Sequence, residues 1–259
     1  MVAIYSFLQR GSYGEVVWEF SFGNYERALD PLYLRVYLKS FTLAAATTGI
    51  CAVLGLPLAY TIATAPKRWQ PALLALLLVP FLTNFVVRIY SIRLILSAEG
   101  PINWLLLTTG LVTEPVMMTD STFAVALGMV TNYLPFMVLP LYVVFEKFDF
   151  AVIEAAKDLG AKGWLVFARV LLPMAKPGLV SGLSLVFVPV LGEYMIPDLL
   201  GGAKTLLLGG LITEQFLRVR DWPFGAALAM ILILAMVGII LIQRRYADTG
   251  KEAGHGLKS

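Results

Sequence analysis

One cysteine and one histidine occur in 259 residues. Cys51 sits inside an apolar run and His255 in a polar tail. Those counts exclude an intrachain disulfide and a cysteine-based metal site. They also exclude a His cluster for metal chemistry and a Cys/His pair for nucleophilic catalysis. Cys51 reads as a small apolar packing residue. Charge is scarce as well: Asp, Glu, Lys and Arg make up 14% of the chain, where a soluble domain carries about 25%. The net charge of +3 is spread among apolar segments and builds no continuous basic face, so nucleic acid is not an expected partner. No GxxxxGK[ST] motif is present, so the chain cannot hydrolyse ATP itself. Met1 to Phe22 contains Arg10, Glu15 and Glu19 and lacks the uninterrupted apolar core of a cleavable signal peptide. Internal repeats and low-complexity segments are also missing.

What is abundant is apolar sequence, at 59% of residues, with a strongly positive mean hydropathy. A helix needs about 20 apolar residues to cross the hydrocarbon core. Five stretches qualify, predicting an all-α membrane protein with five spans. They are Ser40 to Thr64, about Trp69 to Ile95, Ser121 to Phe145, about Pro177 to Pro197 with Glu193 inside it, and Trp222 to Gln243. Pro57, Pro80, Pro135 and Pro189 fall within them, which spans tolerate because neighbouring helices re-satisfy the freed backbone groups.

Orientation follows the basic residues near span ends. Eleven of the 20 lie on one side: Lys67, Arg68, Lys147, Lys157, Lys162, Arg169, Lys176, Arg244, Arg245, Lys251 and Lys258. The other nine, Lys204 among them, are spread over longer loops and mixed with acids. This places the 65–70 loop, the 146–176 loop and the C-terminus in the cytoplasm. Residues 1–38 then form an extracytoplasmic or interfacial segment, whose Trp18, Phe20, Phe22 and Tyr25 suit the headgroup level; the competing expectation is that a preceding span is missing through a late start. Two further apolar runs, INWLLLTTGLV and TLLLGGLIT, are too short to cross and read as re-entrant or interfacial pieces.

The 146–176 loop is the informative segment. Asp149 is a helix-start residue, Phe150, Ile153, Ala156 and Lys157 recur at helical spacing, and Gly160 is a natural helix end. A second helical stretch, Trp164 to Leu172, follows, and Pro173 and Pro177 lead into the fourth span. Ala155, Ala156 and Gly160 permit close approach of a partner, while Glu154 and Asp158 add charge. The plain alternative is a surface helix with a solvated charged face.

Glu154, Ala155, Ala156, Gly160, Val170, Leu172 and Pro173 together match E-A-A, three residues, Gly, nine residues, an aliphatic, one residue, Leu-Pro. This closely resembles the signature loop of ABC importer permeases, with Val170 replacing the commoner Ile. The resemblance covers about residues 20–245 and is nearest to the spermidine/putrescine-type permeases. It is carried by SFGNYERAL, GLPLAYTIA, VPFLTNFVVRIYS, EAAKDLGA, RVLLPMAKPGLVSG, VLGEYMIPDLLGG and RDWPFGAALAM. Ile92 departs from the family's usual Trp. Family members also begin with an extra span before the segment matching Tyr5 to Phe22, so a truncated or mis-assigned start is expected.

The resemblance implies the fold of a type I ABC importer transmembrane domain over 39–245, a coupling loop at 146–176 and a cytoplasmic tail at 246–259, in a bacterial inner membrane. It implies a permease rather than an enzyme, with no cofactor bound by this chain. Its partners would be two cytoplasmic ATPase subunits, a second and paralogous permease, a periplasmic binding protein and membrane lipid. ATPase coupling falls to Glu154, Ala155, Ala156, Asp158, Gly160 and Pro173. A polyamine pathway needs acids and aromatic faces, which points to Glu193, Asp198, Tyr194, Tyr90 and Trp222. Against this, Glu193 can simply pair with Arg88 or Arg93, and the aromatics can be ordinary interface residues. Sulfate, ferric iron or an organic anion are rival solutes. A secondary transporter would show inverted repeats or several mid-span charges, neither of which is present.

Overall fold

Five helices or helix pairs organise the chain, as the hydropathy demands. The structure is a computed structural model and describes residues 1–11, 14–202 and 205–255, with side chains described as far as Gln243. Lys204, Lys258 and the rest of Gly256–Ser259 lie outside the described residues, as do the side chains of Arg244, Arg245, Lys251 and His255.

In chain order the helices are α1 (Val2–Tyr5), α2 (Gly23–Ala28), α3 (Pro31–Thr64), α4 (Gln70–Leu82), α5 (Phe85–Leu96), α6 (Pro101–Thr108), α7 (Thr122–Glu146), α8 (Ala151–Asp158), α9 (Gly163–Val166), α10 (Leu172–Gly192), α11 (Met195–Leu200), α12 (Leu208–Glu214) and α13 (Trp222–His255). A two-stranded antiparallel hairpin, β1 (Gln9–Arg10) with β2 (Val16–Val17), pairs Gln9 with Val17. It is a small departure from an all-helical expectation.

Four helical stretches are long and apolar enough to cross a membrane: Pro31–Thr64, Thr122–Glu146, Gly163–Gly192 and Trp222–Gln243. The pair Gln70–Leu82 and Phe85–Thr108 passes together but is bent by 91°. The expected second span is thus a broken one. The cause is Asn84, whose Oδ1 accepts from the Val86 and Val87 amides at 2.9 and 3.4 Å and starts a new helix there.

Two other boundaries differ from the hydropathy reading. α3 starts at Pro31, not Ser40, because Pro is favoured at the first helical position and Asp30 Oδ1 caps it through the Leu32 amide at 2.9 Å. The fourth span starts at Gly163, not near Pro177, and ends at Gly192. Pro173 lacks the amide that would bond back four residues. The chain absorbs this with a π-helical turn over Phe167–Leu171, in which the Leu172 amide reaches the Phe167 carbonyl, so the helix continues through both prolines.

The chain divides into two compact units. The first comprises Met1–Thr47, Thr83–Thr131 and Val188–Gly238. In it, the N-terminal segment is folded rather than loose. Asn24 Nδ2 donates to the Ser6 and Leu8 carbonyls, and Leu8 and Ala28 are buried. Asp221, at the head of α13, is buried. It accepts from Arg27 at 2.8 Å and from the Phe224 amide at 3.2 Å, and Arg10 lies 3.9 Å away. Burial disfavours the charged Arg27 guanidinium, but its bonds to Asp221 and Tyr33 prevail and its pKa stands above the usual arginine value. Asn103 closes the 97–116 loop by donating to the Ser97 and Val116 carbonyls.

The second unit comprises Thr48–Leu82, Asn132–Phe187 and the chain from Ile239 onward. Apolar burial does not drive helices together in lipid, so small residues that let backbones touch are used instead. Gly178 and Gly182, four residues apart on α10, serve this purpose against α7. A Cβ at Gly178 would lie 2.8 Å from the Pro140 carbonyl oxygen, and one at Gly182 would lie 2.6 Å from Met137 Sδ.

Candidate functional site

The expected helical foot is present as α8. Asp149 Oδ1 accepts from the Ala151 amide at 3.0 Å and sets the first turn. At the far end the Gly160 amide bonds to the Lys157 carbonyl at 2.8 Å and the Ala161 amide to the Ala156 carbonyl at 3.1 Å. That pair of bonds is a Schellman close. It needs a left-handed residue, and Gly160 supplies φ of +80°. Glu154 in the first turn and Lys157 in the last complement the helix dipole.

One face of α8 is anchored. Ile153 is 5% exposed and lines a cavity of about 240 Å³ with Leu56, Pro57, Tyr60, Val166 and Phe167. Tyr60 meets Phe145 and Phe150 edge-on at 6.0 and 5.9 Å, and Phe148 meets Phe150 at 5.1 Å. The other face is open: Glu154, Ala155, Asp158 and Gly160 are exposed and Ala156 is half-buried. Pro173 is exposed on α10, past the π-helical turn.

Sequence reasoning missed two residues at this tip. Leu159 is 89% exposed and Trp164 is 75% exposed, the latter stacked on Phe167 at 5.5 Å. A leucine between Asp158 and a helix-ending glycine was the available signal, since a C-cap position points away from the core.

The second group of predicted residues is only partly brought together. Tyr194 and Asp198 line one concavity of about 280 Å³ with Thr213, Glu214 and Arg218. Glu193 is not within a span: it follows the last residue of α10, and its Oε1 accepts from the Tyr194, Met195 and Ile196 amides at 3.0, 2.9 and 3.4 Å, starting α11. Arg93, its suggested partner, pairs with Asp120 at 3.5 Å and donates to the Leu199 carbonyl. Tyr90 lines a different, largely apolar concavity with Arg93 and Met117. Trp222 is half exposed and meets Phe216 at 6.5 Å. Glu214 and Arg218 were not singled out from the sequence; they follow an apolar run and sit on the helix face that α12 and its π-helical extension turn toward Asp198.

Known proteins match this architecture. Residues 42–247 match the family described as binding-protein-dependent transport system inner membrane component. The spermidine/putrescine transport system permease protein PotB of Salmonella typhimurium (strain SL1344) is 45% identical over 240 residues, covering 93% of this chain and 84% of the relative. PotB of Escherichia coli (strain K12) is 44% identical, covering 93% and 87%. A solved bacterial ABC transporter involved in the import of the acidic polysaccharide alginate superposes with a TM-score of 0.75 at 16% identity, covering 89% of this chain and 84% of its own. The fold is that of a type I ABC importer transmembrane domain. By the extent of these matches, the chain belongs to the family of binding-protein-dependent transport system inner membrane components.

Proposed function

We propose that this chain is the permease subunit of an ATP-driven importer for a polyamine of the spermidine/putrescine class. The observation that carries the reading is α8, a short helix locked at both ends, anchored on one face and open on the other, bearing Glu154, Ala155 and Gly160. The identity to the PotB permeases over 93% of the chain supports the solute class.

In this reading α8 and the C-terminus face the cytoplasm. Each of two ATPase subunits grips a foot, one from this chain and one from a paralogous permease. A periplasmic binding protein delivers the solute. ATP is bound and hydrolysed by the ATPase subunits, and this chain holds no cofactor. Closure of the ATPase pair displaces α8. Ile153 of α8 shares its cavity with Val166 and Phe167, and α9 continues into α10 through Gly163–Gly192, so displacement of the foot bears on a membrane helix. Glu154 and Asp158 orient the foot by charge, Ala155, Ala156 and Gly160 allow close approach, and Pro173 shapes the lever through the π-helical turn.

On the outer side, Asp198 and Glu214 offer carboxylates and Tyr194 an aromatic face to a flexible polycation. Glu193 serves by holding α11 in place, with its carboxylate spent on backbone amides. Vesicles carrying the whole transporter test this. Labelled spermidine is expected to accumulate with ATP, and Glu154→Lys to abolish ATPase association while insertion stays normal. Normal association in Glu154→Lys, or no polyamine uptake by the wild type, contradicts the proposal.

A further inference from the structure

We propose that Gln70, with Tyr142, is a positioning residue for coupling: its side-chain amide fixes the seat on which α8 rests. The inference rests on the importer reading above for the consequence in transport, but not for the structural effect.

Gln70 opens α4 and is 5% exposed. A buried polar side chain needs partners, and this amide has them at the end of α3 and on α7. Its Nε2 donates to the Ala63 carbonyl at 2.9 Å and to the Ala65 carbonyl at 3.0 Å. Both lie where α3 ends, among the carbonyls that a helix leaves without an internal partner. Its Oε1 accepts from the Tyr142 hydroxyl of α7 at 3.3 Å, a hydroxyl it shares with Glu146 one turn along that helix. One side chain thereby closes the end of α3, begins α4 and ties both to α7.

The consequence lies one turn away on each helix. Tyr60 precedes Ala63 by three residues and Phe145 follows Tyr142 by three, which puts each pair on one helix face. Tyr60 and Phe145 meet edge-on at 6.0 Å, and Tyr60 then meets Phe150, the residue before α8, at 5.9 Å. The path runs from Gln70 to Tyr142 by hydrogen bond, along one turn of α7 to Phe145, and by ring contacts through Tyr60 to Phe150 beside the foot. A lever transmits displacement only if its seat does not yield. With Gln70 gone, the end of α3 is free to fray and Tyr60 loses its fixed position.

Two readouts test this in parallel. The first is amide hydrogen exchange of the full chain in lipid nanodiscs, with Gln70→Leu and Tyr142→Phe beside the wild type. Losing a hydrogen bond of ordinary net strength raises local opening by about five-fold. Amides of residues 61–65 and 151–158 are expected to exchange about that much faster in Gln70→Leu and about two-fold faster in Tyr142→Phe, with residues 101–108 unaffected. The second is the ratio of spermidine transported to ATP hydrolysed by the complete transporter in vesicles, expected to fall in the same order and by similar factors. A merely structural defect lowers uptake and hydrolysis together and leaves that ratio unmoved. Unchanged exchange over 151–158, or an unchanged ratio in a variant that inserts, overturns the proposal; Tyr142→Phe alone decides if Gln70→Leu does not insert. A wild-type complex that hydrolyses ATP and moves no polyamine counts against the importer reading, whereas the exchange comparison still decides the role of Gln70.

Discussion

At Gly160 the backbone has φ of +80° and nothing lies within 4 Å of where a Cβ would stand. Glycine is required there by conformation, not by space. Gly160→Ala is expected to cost about 1–2 kcal/mol, the left-handed penalty of an L-residue, visible as faster hydrogen exchange over 151–159 without loss of insertion. This position was legible from the sequence, because Gly160 stands eleven residues after the Asx start at Asp149, where a glycine is a helix-end signal. Asp221 was not. In the sequence it figures only within the RDWPFGAALAM segment, with no structural role of its own, yet it is buried between Arg27 and the Phe224 amide. Asp221→Ala strands both donors. Arg27 stays half in solvent, which screens the pair, so the expected loss is about 2 kcal/mol rather than the larger value of a fully buried ion pair. Asp221→Asn keeps the cap and should lose about half as much. The midpoint of thermal unfolding of the purified protein measures both. Glu193 teaches the converse. A lone acid in an apolar run suggested a mid-span charge, but the helix ends one residue earlier and the carboxylate caps the next helix.

Among the elements, the long uniform helices were readable from hydropathy and their ends were not. Charge misled at α3, where Arg35 and Lys39 pushed the expected start to Ser40 while Asp30 and Pro31 set it nine residues earlier. Uniform apolarity misled at Asn84, since hydropathy averages over the one residue whose side chain replaces two backbone bonds. At Pro173 and Pro177 a helix break was expected. The π-helical turn over Phe167–Leu171 instead joins α9 to α10, so the helix runs unbroken from Gly163 to Gly192. The G-x-x-x-G spacing of Gly178 and Gly182 was present in the sequence and carries the α7–α10 contact. Because Pro140 and Leu141 backbone atoms occupy the space a Cβ would need, Gly178→Leu cannot be absorbed by a rotamer change. It is expected to cost several kcal/mol, on the order of 3, and to lower the yield of folded protein in membranes, as measured by detergent-extracted monodisperse protein. Gly163→Leu, which meets open space, serves as the insertion control.

For the molecule as a whole, composition determined the class before any motif was considered: 14% charge and 59% hydrophobic residues leave room for little but a membrane-embedded chain. Topology rests on the basic residues flanking the spans and on the foot they flank. Five of the eleven basic residues on the proposed cytoplasmic side, Lys147, Lys157, Lys162, Arg169 and Lys176, belong to the loop that carries α8. In the proposed reading, function at this scale reduces to whether a motor protein can reach that foot. The chain's single cysteine makes the question tractable, because Cys51 is buried and can be replaced by alanine to leave a background without thiols. Ala155→Cys is then probed with a membrane-impermeant maleimide in right-side-out and inverted vesicles. The account predicts labelling from the cytoplasmic face only, and loss of that labelling when the ATPase is bound. Labelling from the outer face, or labelling that the bound ATPase leaves unchanged, would contradict it.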